Sequence, residues 1–309
     1  MLEFDVLIDD FLYKYDTAEE IGLCKTEKIL SLTNDFEDGQ WRQSKFQSFI
    51  WDNIAETALS YRERESLLNK HQSTLIESAK KLRLTDLDKD QTGQGSELAE
   101  IILYGIMKNH YGALPVVPKI FYKQNVQDNA KGSDSVHIVV EDENNFSLWL
   151  GEAKFYNSIE DDRLGSIITS IENSLKLEKL KKENSIITNL SDLDELLDKE
   201  SIIYKDIMKL LAKEASIDEL KPKLHVPILL LYECPITVKF TELSDELKQE
   251  LANYHLARVK SYFTKQLKKL KENIHRYDKI HFHTILLPVP SKENIVSSFV
   301  ENVVHYKKQ

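Results

Sequence analysis

The sequence of 309 residues is poor in glycine, proline and cysteine, and each shortage excludes a class of protein. With 9 Gly and 7 Pro, the chain lacks the frequent turns of a strand-rich sandwich, so long helices are favoured. The two cysteines, Cys24 and Cys234, do not have the spacing of a metal-binding or redox motif, and a reduced cytoplasmic interior is the simplest interpretation. Together with 30% charged residues, this composition predicts a helix-dominated α/β protein.

Long apolar runs are also missing. The most apolar run, Pro227–Tyr232, is far shorter than the roughly 20 residues that span a bilayer. The N-terminal sequence MLEFDVLIDD carries acidic side chains where a secretory signal carries positive ones. We therefore expect neither export nor membrane insertion, and we expect a cytoplasmic location.

The pattern of apolar residues divides the chain into two regions. From Phe46 to about Leu84, apolar residues recur three and four apart without proline or glycine, which predicts one or two long helices. The polar stretch at 85–95, TDLDKDQTGQG, then predicts a boundary. We divide the chain into a mainly helical N-terminal region, 1–90, and a second domain, 91–309. The N-terminal region is a candidate docking surface for a partner, and a structural cap on the second domain explains it equally well.

Beyond the boundary, the pattern predicts helices and strands in alternation. A continuous apolar segment at 225–233 is typical of a strand that is buried on both faces. Periodicity alone supports no more than an α/β domain. The predicted elements are a helix at 96–112, strands at 116–122, 134–141 and 145–155, helices at about 158–182 and 193–215, the strand at 225–233, a helix at about 242–277, a strand at 279–289 and a terminal helix.

The residues that carry chemistry lie in the hairpin formed by the second and third of these strands. The polar turn EDENN joins the two strands. If the turn is centred on Glu143, antiparallel pairing sets Val136 opposite Leu150 and Asp134 opposite Glu152. The sequence therefore predicts two acidic side chains directly across from each other at the end of the hairpin.

Alternation of side chains brings a lysine to the same place. Asp134, Glu152 and Lys154 share one face of the sheet, while Ala153 points to the other face, where a small residue permits close packing by a helix. Two opposed carboxylates repel each other by on the order of 3 kcal/mol at an effective dielectric near 20, so they need a cation between them. Hard oxygen ligands of this kind suit Mg²⁺ or Mn²⁺, with the remaining positions on the metal left for water and a phosphate. Lys154 would then be a point charge beside that phosphate.

The helix at 96–112 offers a third acidic ligand. Glu97 and Glu100 are neighbours on the helix surface in its first turns, and either could reach the same metal. Glu100 is slightly favoured, because it continues the apolar stripe and packing would fix its carboxylate. Glu97 stays open.

Each of these residues also has an ordinary explanation. Asp134 and Glu152 could be solvated strand ends, with Lys154 neutralising Glu152. Acidic residues at the start of a helix are favoured by the helix dipole without any further role. His137 lies on the opposite face from Asp134, and a packed or hydrogen-bonded histidine explains it better than a metal ligand does.

At these residues the sequence resembles a known superfamily. An acidic residue on a helix, then Asp134, then Glu152-Ala153-Lys154 after a hydrophobic strand, is similar to the PD-(D/E)xK nucleases. The motif is degenerate, but the context of a helix before three strands and a buried strand after an intervening helix is similar to the core of that superfamily. Ser133 stands where the loosest form of the motif has proline.

Longer segments give a more specific resemblance. Between about 93 and 158 they resemble the HamA family, the nuclease subunits of the bacterial Hachiman anti-phage system, which work with a helicase partner, HamB. Weaker similarity extends to ILLPVPS at 285–291. The segments that carry the resemblance are GSELAEIILYGIMKNHYG, VVPKI, KGSDSVHIVV and LWLGEAKFY.

The resemblance implies a restriction-endonuclease-like α/β core, a mixed sheet flanked by helices, with a helical N-terminal region. It also implies Mg²⁺-dependent cleavage of phosphodiester bonds in DNA, with Mn²⁺ as an alternative metal. Lys154 would orient the nucleophile or stabilise developing charge. The metal ligands would be Asp134, Glu152, either Glu97 or Glu100, and the carbonyl of Ala153.

The charge distribution bears on the partners. The net charge of −10 is unusual for a nuclease that binds DNA strongly alone, so delivery of DNA by a helicase partner fits better. The stretch 255–279 carries eight Lys and Arg against two acids and could track a phosphate backbone, although long helices in acidic proteins also carry basic solvated faces. Two other functions stay open: a catalytically silent nuclease-fold scaffold that binds and regulates a helicase or nucleic acid, and a nuclease that cleaves RNA.

Overall fold

The strands of the protein assemble around one large mixed sheet. The computed structural model describes residues 2–15, 25–84, 96–122, 132–190 and 192–309. Cys24 and the predicted boundary at 85–95 lie outside these residues. The strands are β1 (Asp5–Phe11), β2 (Glu27–Thr33), β3 (Phe36–Glu37), β4 (Gln40–Trp41), β5 (Leu114–Val117), β6 (Ser135–Asp142), β7 (Asn145–Tyr156), β8 (Leu224–Glu233) and β9 (His281–Val289).

Helices cover both faces of the sheet. Along the described chain, no helix combines the length and the apolar content that crossing a membrane requires. The helices are α1 (Gln43–Ala58), α2 (Tyr61–Ser66), α3 (His71–Lys81), α4 (Ser96–Tyr111), α5 (Lys119–Tyr122), α6 (Leu164–Ser174), α7 (Leu177–Leu190), α8 (Leu193–Leu196), α9 (Ile202–Leu211), α10 (Ile217–Leu220), α11 (Asp245–Leu270) and α12 (Lys292–Lys307).

Seven of the described strands form the sheet, in the order β1-β2-β9-β8-β7-β6-β5. The four central strands, β2, β9, β8 and β7, run parallel to one another. Antiparallel pairs close both sides of the sheet, β1 on β2 at one edge and the β5-β6-β7 meander at the other. The mixed sheet flanked by helices that was expected is therefore confirmed.

The burial of β8 explains its continuous apolar sequence. Successive side chains of a strand point to opposite faces, and both faces of β8 are covered. Leu229 packs in the core that α4 and α12 form on one side of the sheet. Leu230 packs in the core that α6 and α11 form on the other side. Because β7 pairs with β8, the hairpin β6–β7 extends this sheet between the two helical layers.

The N-terminal region is part of the same sheet. Alongside α1, α2 and α3, it contributes β1 and β2, two strands that the sequence analysis did not predict. β2 pairs in parallel with β9, so residues 27–33 lie next to one of the last strands of the chain. β1 escaped prediction because Asp5, Asp9 and Asp10 interrupt its apolar pattern, and such charges are typical of an edge strand that must not pair with another molecule.

Most of the other predicted elements are confirmed with small shifts at their ends. The strand predicted at 116–122 is wrong beyond Val117, because β5 ends there and α5 follows at 119–122. Pro118 separates the two and cannot donate a backbone hydrogen bond to a sheet, which ends the strand. The one or two long helices predicted from Phe46 to about Leu84 are instead three helices, α1, α2 and α3. The helical stretches predicted at about 158–182 and 193–215 are also divided, the first into α6 and α7 and the second into α8 and α9.

Candidate functional site

The hairpin β6–β7 has the predicted register. Val136 lies opposite Leu150, and Ile138 lies opposite Leu148. Asp134 directly precedes β6, and its backbone N–H donates to the carbonyl of Gly151 at 2.8 Å, which continues the ladder by one step. This register sets the start of β6 beside the part of β7 that carries Glu152.

The three residues predicted on one face of this hairpin come together. The Nζ atom of Lys154 lies 3.4 Å from Oδ2 of Asp134 and 3.4 Å from Oε2 of Glu152. The backbone N–H of Ala153 donates to the same Oδ2 of Asp134 at 3.1 Å, which fixes that carboxylate against β7. One ammonium group therefore bridges two carboxylates at the rim of the sheet.

Burial makes the charge of this cluster costly. Glu152 is only 4% exposed, and burial followed by the charge of Asp134 raises the pKa of Glu152 to about 7. Burial acts to lower the pKa of Lys154, but the charges of Asp134 and Glu152 outweigh it and raise that pKa above its ordinary value. A buried carboxylate, Glu152, and a half-buried one, Asp134, thus both lie beside the ammonium group of Lys154.

A serine that the sequence analysis did not identify belongs to the same cluster. Ser170, on α6, donates from its Oγ to Oε2 of Glu152 at 2.8 Å. α6 packs against β7 on the face where Glu152 lies, and Ile167 and Ile171 anchor it in that core. No local sequence signal marks Ser170, since its partner is reached only through the packing of α6 on the sheet.

The segment that leads into Asp134 is held by a buried ion pair. Lys119 on α5 and Glu183 on α7 are 0% and 2% exposed, and Nζ of Lys119 lies 3.1 and 2.9 Å from the two carboxylate oxygens. Oε1 of Glu183 also accepts a hydrogen bond from the backbone N–H of Ser133 at 2.7 Å. A Cβ atom at Gly132 would overlap the carboxylate of Glu183, so only glycine fits there. The pair therefore positions the residues immediately before Asp134.

The two acidic residues of α4 occupy different environments. Glu97 accepts hydrogen bonds from the backbone N–H groups of Arg83 and Leu84, at 3.0 and 3.1 Å. Glu100 is buried one turn before Tyr104, whose hydroxyl donates to the carbonyl of Val117 at 2.5 Å. Glu97 therefore already binds the end of the segment after α3, while Glu100 sits in the packed part of the helix.

Ala153 and His137 lie on the face of the sheet opposite to Glu152. Ala153 is buried in the same core as Leu103 of α4, which is the close helix packing expected of a small residue. His137 is fully buried, its ring contacts that of Tyr104 at 4.4 Å between centroids, and burial lowers the pKa of His137 to about 3. These surroundings are those of a packed histidine.

The oxygen donors of this site are of the kind that suits a hard divalent cation, but they are fewer than a closed metal site requires. Across the described ranges, no three His, Cys, Asp or Glu side chains form a set that could hold a metal ion. Asp134 and Glu152 supply carboxylates, which are preferred ligands of Mg²⁺ and Mn²⁺. Such ions commonly keep several waters and bind through one or two carboxylates plus substrate phosphate. The two carboxylates at Lys154 fit an open site of that kind.

The basic stretch at 255–279 is partly neutralised by its neighbours. Arg258 lies 2.8 Å from Glu160 and 3.3 Å from Asp161, and Lys269 lies 3.3 Å from Glu172. These contacts tie α11 to α6 and to the loop before it. Contact of this stretch with DNA stays a prediction.

Comparison with known proteins gives one assignment. A family model described as HamA matches residues 5–303. A search of the curated proteins finds no match to this chain. The match covers the N-terminal strands, the hairpin β6–β7 and the central strands β8 and β9.

Proposed function

The chain belongs to the HamA family, a component of Hachiman antiviral defence, and from that premise we propose that it is a metal-dependent DNA endonuclease, the effector of an anti-phage complex with a helicase partner. The observation that carries this proposal is the cluster of Asp134, Glu152 and Lys154 at the rim of the sheet. These three residues match the PD-(D/E)xK pattern. We include in the proposal that the sheet and its helices form the restriction-endonuclease-like core of that superfamily. The bridging geometry at 3.4 Å supports it.

The roles of the residues follow from their contacts. Asp134 and Glu152 would hold Mg²⁺ or Mn²⁺, with Glu100 or Glu97 and the Ala153 carbonyl as further candidates. A divalent cation held there would supply positive charge to the scissile phosphate and activate water for attack. Lys154 places a second positive charge beside the same phosphate and stabilises the charge that develops in the transition state.

The neighbours of the cluster hold these groups in place. The hydroxyl of Ser170 orients one oxygen of Glu152, and the N–H of Ala153 orients one oxygen of Asp134. Such supporting hydrogen bonds fix ligand geometry before substrate arrives. A site that is preorganised in this way needs little rearrangement when a phosphate binds.

Site variants test the nuclease assignment. Wild type, Asp134→Asn, Lys154→Ala and Asp142→Asn are incubated with plasmid DNA, Mg²⁺ and the purified helicase partner. Asp142 is exposed at the end of β6, beside the turn of the same hairpin, so its variant makes the same change of charge away from the site. We expect the first two variants to cleave at least about 10²-fold more slowly and Asp142→Asn to match wild type. Equal cleavage by all four proteins would remove the assignment from this site.

Two further arms separate the rival functions. A silent scaffold predicts that cells carrying Asp134→Asn survive phage infection as well as wild type, whereas the nuclease predicts loss of protection. An RNA substrate of the same sequence, supplied in place of the plasmid, distinguishes RNA cleavage from DNA cleavage.

The acidity of the chain supports delivery of DNA by the partner. A net charge of −10 opposes binding of a polyanion, and it limits cutting of host DNA by the isolated subunit. We expect the isolated chain to cleave plasmid poorly and the helicase partner to restore cleavage. Strong Mg²⁺-dependent cleavage by the chain alone would contradict this part of the proposal.

A further inference from the structure

A groove on the far side of α7 from Lys119 has the composition of a ligand site. It lies between α7 and the turn that joins α9 to α10, and its volume of about 460 Å³ falls in the range of small-molecule sites. One wall is the polar surface of α7. The other wall is apolar and includes Leu211, Ala212, Ala215 and Ile217.

The charge of the groove is positive in an acidic protein. Lys181, Lys182 and Lys213 line it, against the single acid Glu178. None of the three lysines makes an ion pair with another described residue, although many lysines elsewhere in the chain do. Three lysines that line one groove and make no ion pairs with described residues suit a phosphate-bearing ligand.

The side-chain oxygen of a buried asparagine in the groove has no hydrogen-bond donor among the described residues. Asn184 lines the groove and is 5% exposed, and its Oδ1 atom accepts no hydrogen bond from any described residue. A buried acceptor left unsatisfied costs about 1–3 kcal/mol, so such an atom is normally paired. An amino or hydroxyl group on a ligand would satisfy it.

We propose that this groove binds a nucleoside phosphate of mononucleotide size. The lysines bind the phosphates, Oδ1 of Asn184 accepts a hydrogen bond from the base or the sugar, and the apolar wall packs against the face of the base. This ligand class unites the three features, since inorganic phosphate leaves Asn184 and the apolar wall unused.

The groove connects to the candidate active site through one helix. Asn184 directly follows Glu183, whose carboxylate holds Lys119 and the N–H of Ser133 before Asp134. A ligand that fixes α7 at Asn184 therefore stabilises the support of Asp134. This regulatory step rests on the proposed nuclease function, while binding itself does not.

Calorimetric titration tests binding without reference to cleavage. The full chain is titrated with ATP, ADP and inorganic tripolyphosphate, in EDTA so that no divalent cation contributes. We expect saturable binding of ATP or ADP, with weaker binding of tripolyphosphate. Absence of binding by both nucleotides overturns the proposal.

Variants locate the ligand. Lys181→Glu/Lys213→Glu is expected to lower nucleotide affinity at least about tenfold, and Lys70→Glu/Lys308→Glu, the same change of charge at exposed positions outside the groove, is expected to leave it unchanged. Asn184→Ala should weaken ATP binding more than tripolyphosphate binding. Equal affinity of wild type and the groove variant overturns the location.

Two outcomes would assign the groove differently. Binding of a single-stranded DNA oligonucleotide without binding of any mononucleotide overturns the proposal and makes the groove part of a DNA path. Nucleotide binding without any change in plasmid cleavage leaves the site in place and removes only the link to Asp134. If no cleavage is found under any condition, the nuclease proposal fails while the titrations still decide the groove.

Discussion

At the scale of single residues, the carboxylate of Glu152 is stabilised by the side chains that contact it, Lys154 and Ser170. It is almost fully buried, and apart from Lys154 its carboxylate has the hydroxyl of Ser170 at 2.8 Å. Hydrogen bonds to a charged group are stronger than neutral ones, at about 1.5–3 kcal/mol. Ser170 therefore favours the ionised form of Glu152, which is the form that binds a metal.

Replacing Ser170 tests this support. We expect Ser170→Ala to lower the affinity for Mn²⁺ about tenfold, because the orienting partner of a ligand is lost. Isothermal titration calorimetry with Mn²⁺ measures the effect. Ser174→Ala is the matched control, since Ser174 lies on the same helix and its hydroxyl donates to the carbonyl of Ile171 instead. Unchanged Mn²⁺ affinity in Ser170→Ala would show that Glu152 is oriented without this hydroxyl.

The buried pair of Lys119 and Glu183 gives a second prediction. Glu183→Gln leaves the ammonium of Lys119 buried without a counter-charge, so we expect the free energy of unfolding to fall by about 3–5 kcal/mol. Glu200→Gln breaks the exposed pair with Lys205 and should change it by less than about 1 kcal/mol. Urea unfolding of both variants measures the difference.

A double variant distinguishes the charge from the fold. Lys119→Met/Glu183→Leu removes both charges, and we expect it to be more stable than Glu183→Gln, because no unpaired charge is buried. If Glu183→Gln unfolds at the same urea concentration as wild type, the pair does not hold the segment before Asp134.

The predictable part of the site is the part that local geometry determines. Asp134, Glu152 and Lys154 belong to one hairpin, and strand alternation with a single register places them together. Ser170 and Glu183 come from α6 and α7, and their positions depend on how those helices pack. The sequence around Ser170 and Glu183 does not predict how α6 and α7 pack on the sheet.

At the scale of secondary structure elements, α4 approaches β7 closely at Gly151. A Cβ atom at Gly151 would overlap Ser135 Oγ and come within 2.8 Å of Leu103 Cδ2 and 3.1 Å of Pro227 Cγ. Glycine at this position lets α4 lie directly on the sheet. The distance between α4 and the hairpin, and with it the position of Glu100, is set there.

Gly151→Ala tests this contact. We expect it to lower the free energy of unfolding by about 1–3 kcal/mol, because the added methyl group overpacks the interface. Gly165→Ala is the matched control: Gly165 lies in the first turn of α6 with nothing within 4 Å of an added Cβ, so alanine should be neutral or stabilise by roughly 0.5–1 kcal/mol. Thermal unfolding measures the stability of the two variants. If Gly151→Ala is as stable as Gly165→Ala, α4 can move away from β7 without a loss in the free energy of unfolding.

Elements with strong, uninterrupted patterns were predictable, and elements that depend on their partners were not. β8 and β9 were predicted because their apolar runs match buried strands, and β7 was predicted because its segment has strand-like residues. β1 was missed because acidic residues interrupt its pattern at the edge of the sheet, and β2 was missed because one of its sheet partners, β9, lies far away in the sequence. The helical turn α5 was read as strand because its residues, KIFY, favour both.

At the scale of the whole molecule, buried histidines make stability depend on pH. His137 and His255 are fully buried, and burial lowers the pKa of each to about 3, against roughly 6.5 in the unfolded chain. The contribution of each histidine to stability is fully present above pH 6.5 and falls as the pH drops toward 3, because the unfolded chain then binds protons that the folded protein excludes. Each histidine should cost about 2 kcal/mol at pH 5 relative to pH 7.5.

His137→Phe isolates one of these contributions. The ring of His137 packs on Tyr104, and neither of its nitrogens has a hydrogen-bond partner among the described residues, so phenylalanine preserves the contact. We expect its loss of stability between pH 7.5 and pH 5 to be smaller than that of wild type by about 2 kcal/mol. His71→Asn, at an exposed histidine, should lose as much as wild type. Urea unfolding at both pH values measures this, and identical losses in all three proteins would contradict the assignment.

The position of β9 between β2 and β8 has a consequence for biosynthesis. β2 ends at Thr33 and β9 begins at His281, so all the residues between them must leave the ribosome before the central gap of the sheet is filled. Until then β2 and β8 each expose an unpaired edge, and a nascent chain in that state invites aggregation or capture by chaperones. A protein built in this way completes its central sheet only once β9 has been translated, and a product that is terminated before β9 is left without that sheet.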